Sequence, residues 1–255
     1  PALLDPFTAS GGQALGAIGI LSLLAWGLGY PGQPHILARF MAIRSADEMP
    51  TARRVAMGWV IVVLLAAVVV GLAGAALITP PLDGPGSEKV FILLATTHLH
   101  PVLAGLCLSG ILAAIMSTAS AQLLVASSAF AQDFYKGLFR REPGRAELLW
   151  VGRGAVLGIA LLAYLLALNP ESKVLDLVAW AWAGFGAAFG PAIVLSLYWD
   201  RMTRNGALAG MLVGGLTVIL WKQGHGGIFE LYEMVPGVVL SALAIWVVSR
   251  FGRSE

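Results

Sequence analysis

Charge is scarce in this sequence: Asp, Glu, Lys and Arg make up 12% of its 255 residues, about half the roughly 25% of a soluble domain. So thin a supply cannot cover the surface of a water-soluble body of this size. An ordinary soluble domain is excluded, and lipid is left as the medium. The hydrophobic share of 58% agrees, as does a mean hydropathy of +0.82. Cysteine is nearly absent: Cys107 stands alone, which rules out an intrachain disulfide and reads as a small packing residue in an apolar run. The four histidines, His35, His98, His100 and His225, are dispersed, so no metal centre built on them is expected. There is no P-loop, catalytic triad or dinucleotide fingerprint; neither an enzyme nor a nucleic-acid partner is expected. An initiator Met and a signal peptide are also missing, and a chain that opens on Pro1 reads as an excerpt of a longer one.

What is abundant suits a bilayer. Gly 31 and Trp 8 supply small residues for close helix approach and rings for the lipid–water interface. A crossing needs roughly 20 apolar residues. On that measure the expected spans are 12–42, 55–79, 102–130, 147–168, 174–199, 205–222 and 229–250: an all-α, polytopic bundle of about seven helices in one transmembrane domain over 1–255. The first is too long for a simple crossing and should be broken. The third is expected to tilt or extend to Tyr135. Between the second and third, Pro80, Pro81, Gly84, Pro85 and Gly86 predict a turn-rich loop. A short helix should then run from a Ser87 cap to about Thr97, with Val90, Phe91 and Leu94 as its apolar face, lying on the bundle rather than crossing it.

The basic residues set an orientation. Arg39, Arg44, Arg53, Arg54, Lys136, Arg140, Arg141, Arg145, Arg153, Arg201, Arg204, Arg250 and Arg253 follow odd-numbered spans. Only Lys89, Lys173 and Lys222 follow even-numbered ones. Positive residues stay cytoplasmic, so 43–54, 136–147, 200–205 and the C-terminus are expected inside.

The first span carries Trp26-Gly27-Leu28-Gly29-Tyr30-Pro31-Gly32-Gln33-Pro34-His35. In an α-helical register Pro31 has no N–H for the Gly27 carbonyl, and Pro34 none for the Tyr30 carbonyl. Backbone without partners is tolerated at membrane depth only where it lines a cavity or is buried in protein. Gln33-Pro34 is a natural start for a second half-helix, whose positive end would face the break. Free carbonyls suit an ammonium and a half-helix N-terminus suits a carboxylate, so the break reads as a zwitterion site flanked by Trp26 and Tyr30. The plainer alternative is a proline kink with interfacial aromatics.

In the third span Ala114, Ser117, Thr118 and Ala121 share one helical face. Two hydroxyls and the Ala114 carbonyl are three candidate ligands for a hard cation such as Na⁺. The alternative is that Thr118 bonds back to the Ala114 carbonyl and the small residues serve packing. No Asp or Glu lies mid-span, since Asp133 and Asp176 fall near span ends. No carboxylate proton relay is visible, which leans toward Na⁺ over H⁺. In Ala179–Pro191, Gly186 and Gly190 form a small-xxx-small pair that predicts close packing, with a gate or pathway lining as the other reading.

The string 26–41, together with Ala113–Thr118, Ala181–Pro191 and Arg201–Gly210, resembles the sodium/solute symporter family, in particular its bacterial proline symporters. The resemblance runs over essentially the whole chain. It implies thirteen transmembrane helices, ten of them a LeuT-like core of two inverted five-helix repeats, with this chain supplying the seventh to the thirteenth. It also implies Na⁺-coupled uptake of L-proline across a bacterial cytoplasmic (inner) membrane by alternating access, with no organic cofactor. Substrate contacts would fall on Trp26, Gly27, Tyr30 and Pro34, and Na⁺ on Ala114, Ser117 and Thr118. N-terminal helices outside this chain would complete both sites. The competing expectations are the same fold with another small solute, such as pantothenate or a monocarboxylate, and a transporter-like membrane sensor.

Overall fold

Prolines stand at the first or second position of three of the helices, as Pro34, Pro50 and Pro101. The computed structural model describes residue 5 and residues 7–8, 13–82, 84–139, 142–168 and 174–252. The first segment is three short pieces: α1 Ala17–Leu24, a 3-10 helix Ala25–Gly32, and α2 Pro34–Met41. Then come α3 Met49–Leu77, α4 Val90–His98, α5 Pro101–Ser128, a π-helical stretch Ala129–Tyr135, α6 Lys136–Phe139, α7 Arg145–Ala167, α8 Val174–Tyr198, α9 Arg204–Trp221 and α10 Met234–Phe251. No strand occurs among the described residues; Thr8 and Ala14 make one isolated β-bridge.

Among the described residues, six helices are long and apolar enough to cross a membrane: those over Ala46–Leu77, Pro101–Tyr135, Arg145–Ala167, Val174–Tyr198, Arg204–Trp221 and Met234–Phe251. The chain is a polytopic helical membrane bundle. The seven expected spans resolve into these six and one broken segment, whose apolar helical part is Ala17–Gly32. Several boundaries move: the second span starts at Met49 and not 55, and two other shifts have a local cause. The short helix starts at Val90, after a 3-10 turn Gly84–Lys89, so its flanking residue is Lys89 and not Ser87. The last span starts at Met234 and not 229, because Gly226 (φ 77°) and Gly227 (φ 59°) turn the chain through a conformation that side chains resist.

The chain folds as two compact units, Arg44–Lys173 and the pairing of Pro1–Ile43 with Val174–Glu255. In the first, α4 lies on the end of α3, where Val90 occupies the space that a side chain at Gly74 would need. His100 caps α5, its Nδ1 accepting from the Val102 N–H at 3.4 Å, and Pro101 takes the first helical position. The extension of α5 to Tyr135 is held to α7, because Tyr135 Oη donates to Glu147 Oε1 at 2.6 Å.

In the second unit α8, α9 and α10 pack through glycines. Gly206, Gly210 and Gly214 form a seam on α9. Gly206 meets Ser249, Gly210 meets Ile245 and Gly214 meets the Ala187 carbonyl. Lipid gives apolar helices no reason to prefer one another, so association rests on dispersion and close backbone approach. The seam supplies that approach. Ala183, Ala187, Val218 and Met234 form the buried centre.

Candidate substrate and cation sites

The break begins with two missing N–H groups. The segment tightens into a 3-10 helix over Ala25–Gly32 with Pro31 inside it. Gln33 precedes a proline, which disfavours helical backbone, and it is extended (φ −87°, ψ 113°). The 3-10 register corrects one expectation. The Tyr30 carbonyl is not free, because it accepts the Gln33 N–H at 3.3 Å. With i→i+3 pairing inside the 3-10 turn, the carbonyl opposite the Pro31 nitrogen is that of Leu28, not Gly27.

Gln33 serves the break from inside. It is buried, and its amide nitrogen donates to the Gly29 carbonyl at 3.3 Å and the Trp182 carbonyl at 3.2 Å. One side chain thus joins the turn to α8. The backbones are nearly in contact there. A Cβ on Gly186 would lie 2.8 Å from Gly29 Cα, and one on Gly32 would strike the Phe185 carbonyl oxygen and lie 2.8 Å from Gly186 Cα. The Gly186 and Gly190 pair is a close-packing surface as expected, and what it packs against includes the break itself.

Four aromatic rings gather over this joint. Trp182 Nε1 donates to the Trp26 carbonyl at 3.0 Å, satisfying another backbone acceptor of the turn. The Trp26 and Trp182 ring centroids are 6.2 Å apart. Tyr30 meets Trp182 edge-on at 5.0 Å and 86°. Tyr232 stacks on Trp26 at 5.9 Å and 19°. Tyr30 remains 57% exposed, and Gly27 has open space where a Cβ would sit. Trp26, Gly27, Tyr30 and Pro34 therefore share one short segment, with Pro34 opening α2. The cluster offers ring faces, backbone carbonyls and a helix N-terminus, and no formal charge. By contrast, the apolar groove on α8 and α9, which includes Trp180, Phe185, Phe189 and Ile219, offers almost no polar surface. It does not suit a zwitterion.

Sequence reasoning missed Gln33 and Tyr232 and read Trp182 mainly as packing. Gln33 carried a signal: a long amide between two proline-broken halves has carbonyls within reach. Tyr232 carried none, because nothing local marks a loop tyrosine as a neighbour of Trp26.

Ala114, Ser117 and Thr118 belong to the other unit, midway along α5, and all three are exposed. Elsewhere on the same helix hydroxyls fold back onto the backbone: Ser109 onto Gly105 at 2.8 Å and Ser127 onto Leu124 at 3.1 Å. Among the described residues, the hydroxyls of Ser117 and Thr118 make no such bond, and the Thr118-to-Ala114 back-bond is not formed. Both remain available as oxygen ligands.

Residues 2–214 match the Sodium:solute symporter family. The chain is 52% identical over 247 residues to the "Sodium/proline symporter" of Salmonella typhimurium, covering 95% of this chain and 49% of that protein. Identity to the Escherichia coli protein of the same name is also 52%, with the same coverage. It is 49% over 249 residues to a "High-affinity proline transporter" of Bacillus subtilis, covering 96% of this chain and 52% of that one. The chain thus spans about half the length of the curated relatives it matches. No solved structure matches it. With its membrane-length helices and a family match over most of its residues, the chain belongs to the sodium:solute symporter family.

Proposed function

We propose that this chain forms part of a secondary transporter that couples inward Na⁺ movement to L-proline uptake by alternating access in a LeuT-like core. The observation that carries the reading is the break over Ala25–Gly32 with Trp26, Tyr30, Trp182 and Tyr232 gathered on it. The names of relatives at about half identity support it. In this reading the pyrrolidine ring packs on Trp26, beside Gly27 and Tyr30. The secondary ammonium has two N–H donors, and the break offers the Leu28 carbonyl, which lies opposite the Pro31 nitrogen. The carboxylate takes the positive end of α2, which begins at Pro34. Na⁺ takes the Ser117 and Thr118 hydroxyls and the Ala114 carbonyl, and its binding stabilises the substrate-ready state. Further helices of the complete protein close both sites. The protein lies in the bacterial cytoplasmic membrane with its C-terminus inside.

The test is counterflow with the complete protein in proteoliposomes, with the Na⁺ gradient set independently of the solute. Labelled L-proline should accumulate, and removing external Na⁺ should abolish net uptake. Accumulation of pantothenate or a monocarboxylate in place of proline would overturn the substrate. Proline uptake indifferent to Na⁺ would overturn the coupling.

The cation residues have their own prediction. Ser117→Ala and Thr118→Ala should each raise the Na⁺ concentration for half-maximal uptake about tenfold, the equivalent of losing roughly 1.4 kcal/mol of ligation. Initial uptake rates across a Na⁺ titration at saturating proline measure this. A change only in proline affinity at saturating Na⁺ would show that these hydroxyls do not hold the ion.

A further inference from the structure

Tyr232 lies outside every motif that marks the site, yet it is tied to it at three points. Its ring stacks on Trp26 at 5.9 Å and 19°. Its hydroxyl donates to the Ala179 carbonyl on α8 at 2.6 Å. Its backbone N–H donates to Ser22 Oγ on α1 at 2.9 Å. The Ser22 hydroxyl itself donates to the Ile18 carbonyl at 2.8 Å, so its orientation is set before Tyr232 uses it.

The start of α10 is anchored as well. Met234, two residues on, is fully buried, and its Cε would lie 3.1 Å from a Cβ on Gly186. Glu233, between them, is buried and 3.9 Å from Lys222 Nζ. The phenol is therefore held at its backbone and at its tip, with its ring face against Trp26. A ring fixed in this way restrains the indole it stacks on. Trp26 sits where the helical ladder is interrupted, and its carbonyl is already tied to Trp182. The stack from Tyr232 restrains the side chain where that bond restrains the backbone.

We propose that Tyr232 is a positioning residue that holds the Trp26 ring in its ligand-binding orientation, and so sets affinity for the transported solute without touching it. This rests on the reading of Trp26 as a substrate contact. The physical gain is preorganisation: a ring already held in its bound orientation loses less freedom when the ligand arrives. A stacked aromatic pair is worth roughly twofold to tenfold in an equilibrium constant beyond its buried area, which bounds the effect.

The test measures KM and Vmax for L-proline with the complete protein in proteoliposomes. The variants are Tyr232→Ala, Tyr232→Phe, Trp26→Ala and the double alanine variant, with membrane abundance measured for each. Tyr232→Ala should raise the proline KM about fivefold to tenfold, with Vmax per molecule and the Na⁺ half-saturation unchanged. Tyr232→Phe keeps the stack and should recover most of the loss. The double variant should be no worse than Trp26→Ala, because a residue acting through Trp26 has nothing left to position. If the alanine variant fails to reach the membrane, Tyr232→Leu takes its place: it fills volume without the stack and should show the same KM increase. Independent, additive effects in the double variant would overturn the proposal. So would an unchanged KM in the variant lacking the ring, or a phenylalanine variant no better than alanine. A normal KM for Trp26→Ala would sink the substrate-site reading itself. An impaired Trp26→Ala beside a normal Tyr232→Ala would sink only the positioning role.

Discussion

Trp26→Ala in the complete protein should raise the L-proline concentration for half-maximal uptake about a hundredfold, since buried aromatic anchors carry roughly 2–4 kcal/mol of a binding energy. The indole has two duties. Its ring is the largest apolar surface on the broken turn, and it meets both Trp182 and Tyr232. In the proposed reading, truncation removes the surface on which a pyrrolidine ring would pack; it also leaves Tyr232 with nothing to stack on. The backbone carbonyl that takes Trp182 Nε1 at 3.0 Å survives the change, so the turn itself should persist. The expected signature is therefore a KM effect with near-normal abundance in the membrane. Uptake unchanged in both KM and Vmax would remove the broken turn from the substrate pathway.

Gly32→Ala should disrupt this unit severely, as a methyl on Gly214 also would, and it does so at the break itself. The added carbon would overlap the Phe185 carbonyl oxygen and lie 2.8 Å from Gly186 Cα and 2.9 Å from the Phe185 carbonyl carbon. These are backbone atoms of a helix, which cannot turn aside as a side-chain tip can. The turn must lift from α8, and overpacking of this kind costs about 1–3 kcal/mol or more. Lifting would also stretch the two bonds from the Gln33 amide to Gly29 and Trp182. Loss of most uptake, together with a lower unfolding temperature in detergent, is the expected outcome. Gly184→Ala on α8 is the control, because a Cβ there meets nothing within 4 Å. Equal tolerance of both substitutions would mean that the turn does not sit flush on α8.

Much of this was legible in the linear pattern. Two prolines and three glycines in the segment 27–34 mark a break whatever surrounds it, because a missing N–H and a missing Cβ are properties of the residue itself. The face of Ala114, Ser117 and Thr118 follows from the helical period alone. The small-residue pair Gly186 and Gly190 was read as a packing surface, and so it is.

Two things were not legible. One was hydrogen-bond register. α-Helical spacing implies free carbonyls at Gly27 and Tyr30, whereas the 3-10 turn hands the Gln33 N–H to Tyr30. The choice between i→i+4 and i→i+3 depends on how tightly the turn must wind to lie on α8. The other was partnership across the chain. Gln33 reaches Trp182, 149 residues away, and Tyr232 reaches Ser22, 210 residues away.

Composition and local pattern were enough to establish a lipid-embedded helical chain with a break at 27–34 and a hydroxyl face on α5. These follow from single-residue chemistry and short-range periodicity. Packing alone established which carbonyls the break presents, that Trp182 and Tyr232 close around Trp26, and that Gln33 ties the break to α8. Those contacts depend on where the glycine faces of α8, α9 and α10 let backbones meet, and no local run of residues encodes that distance.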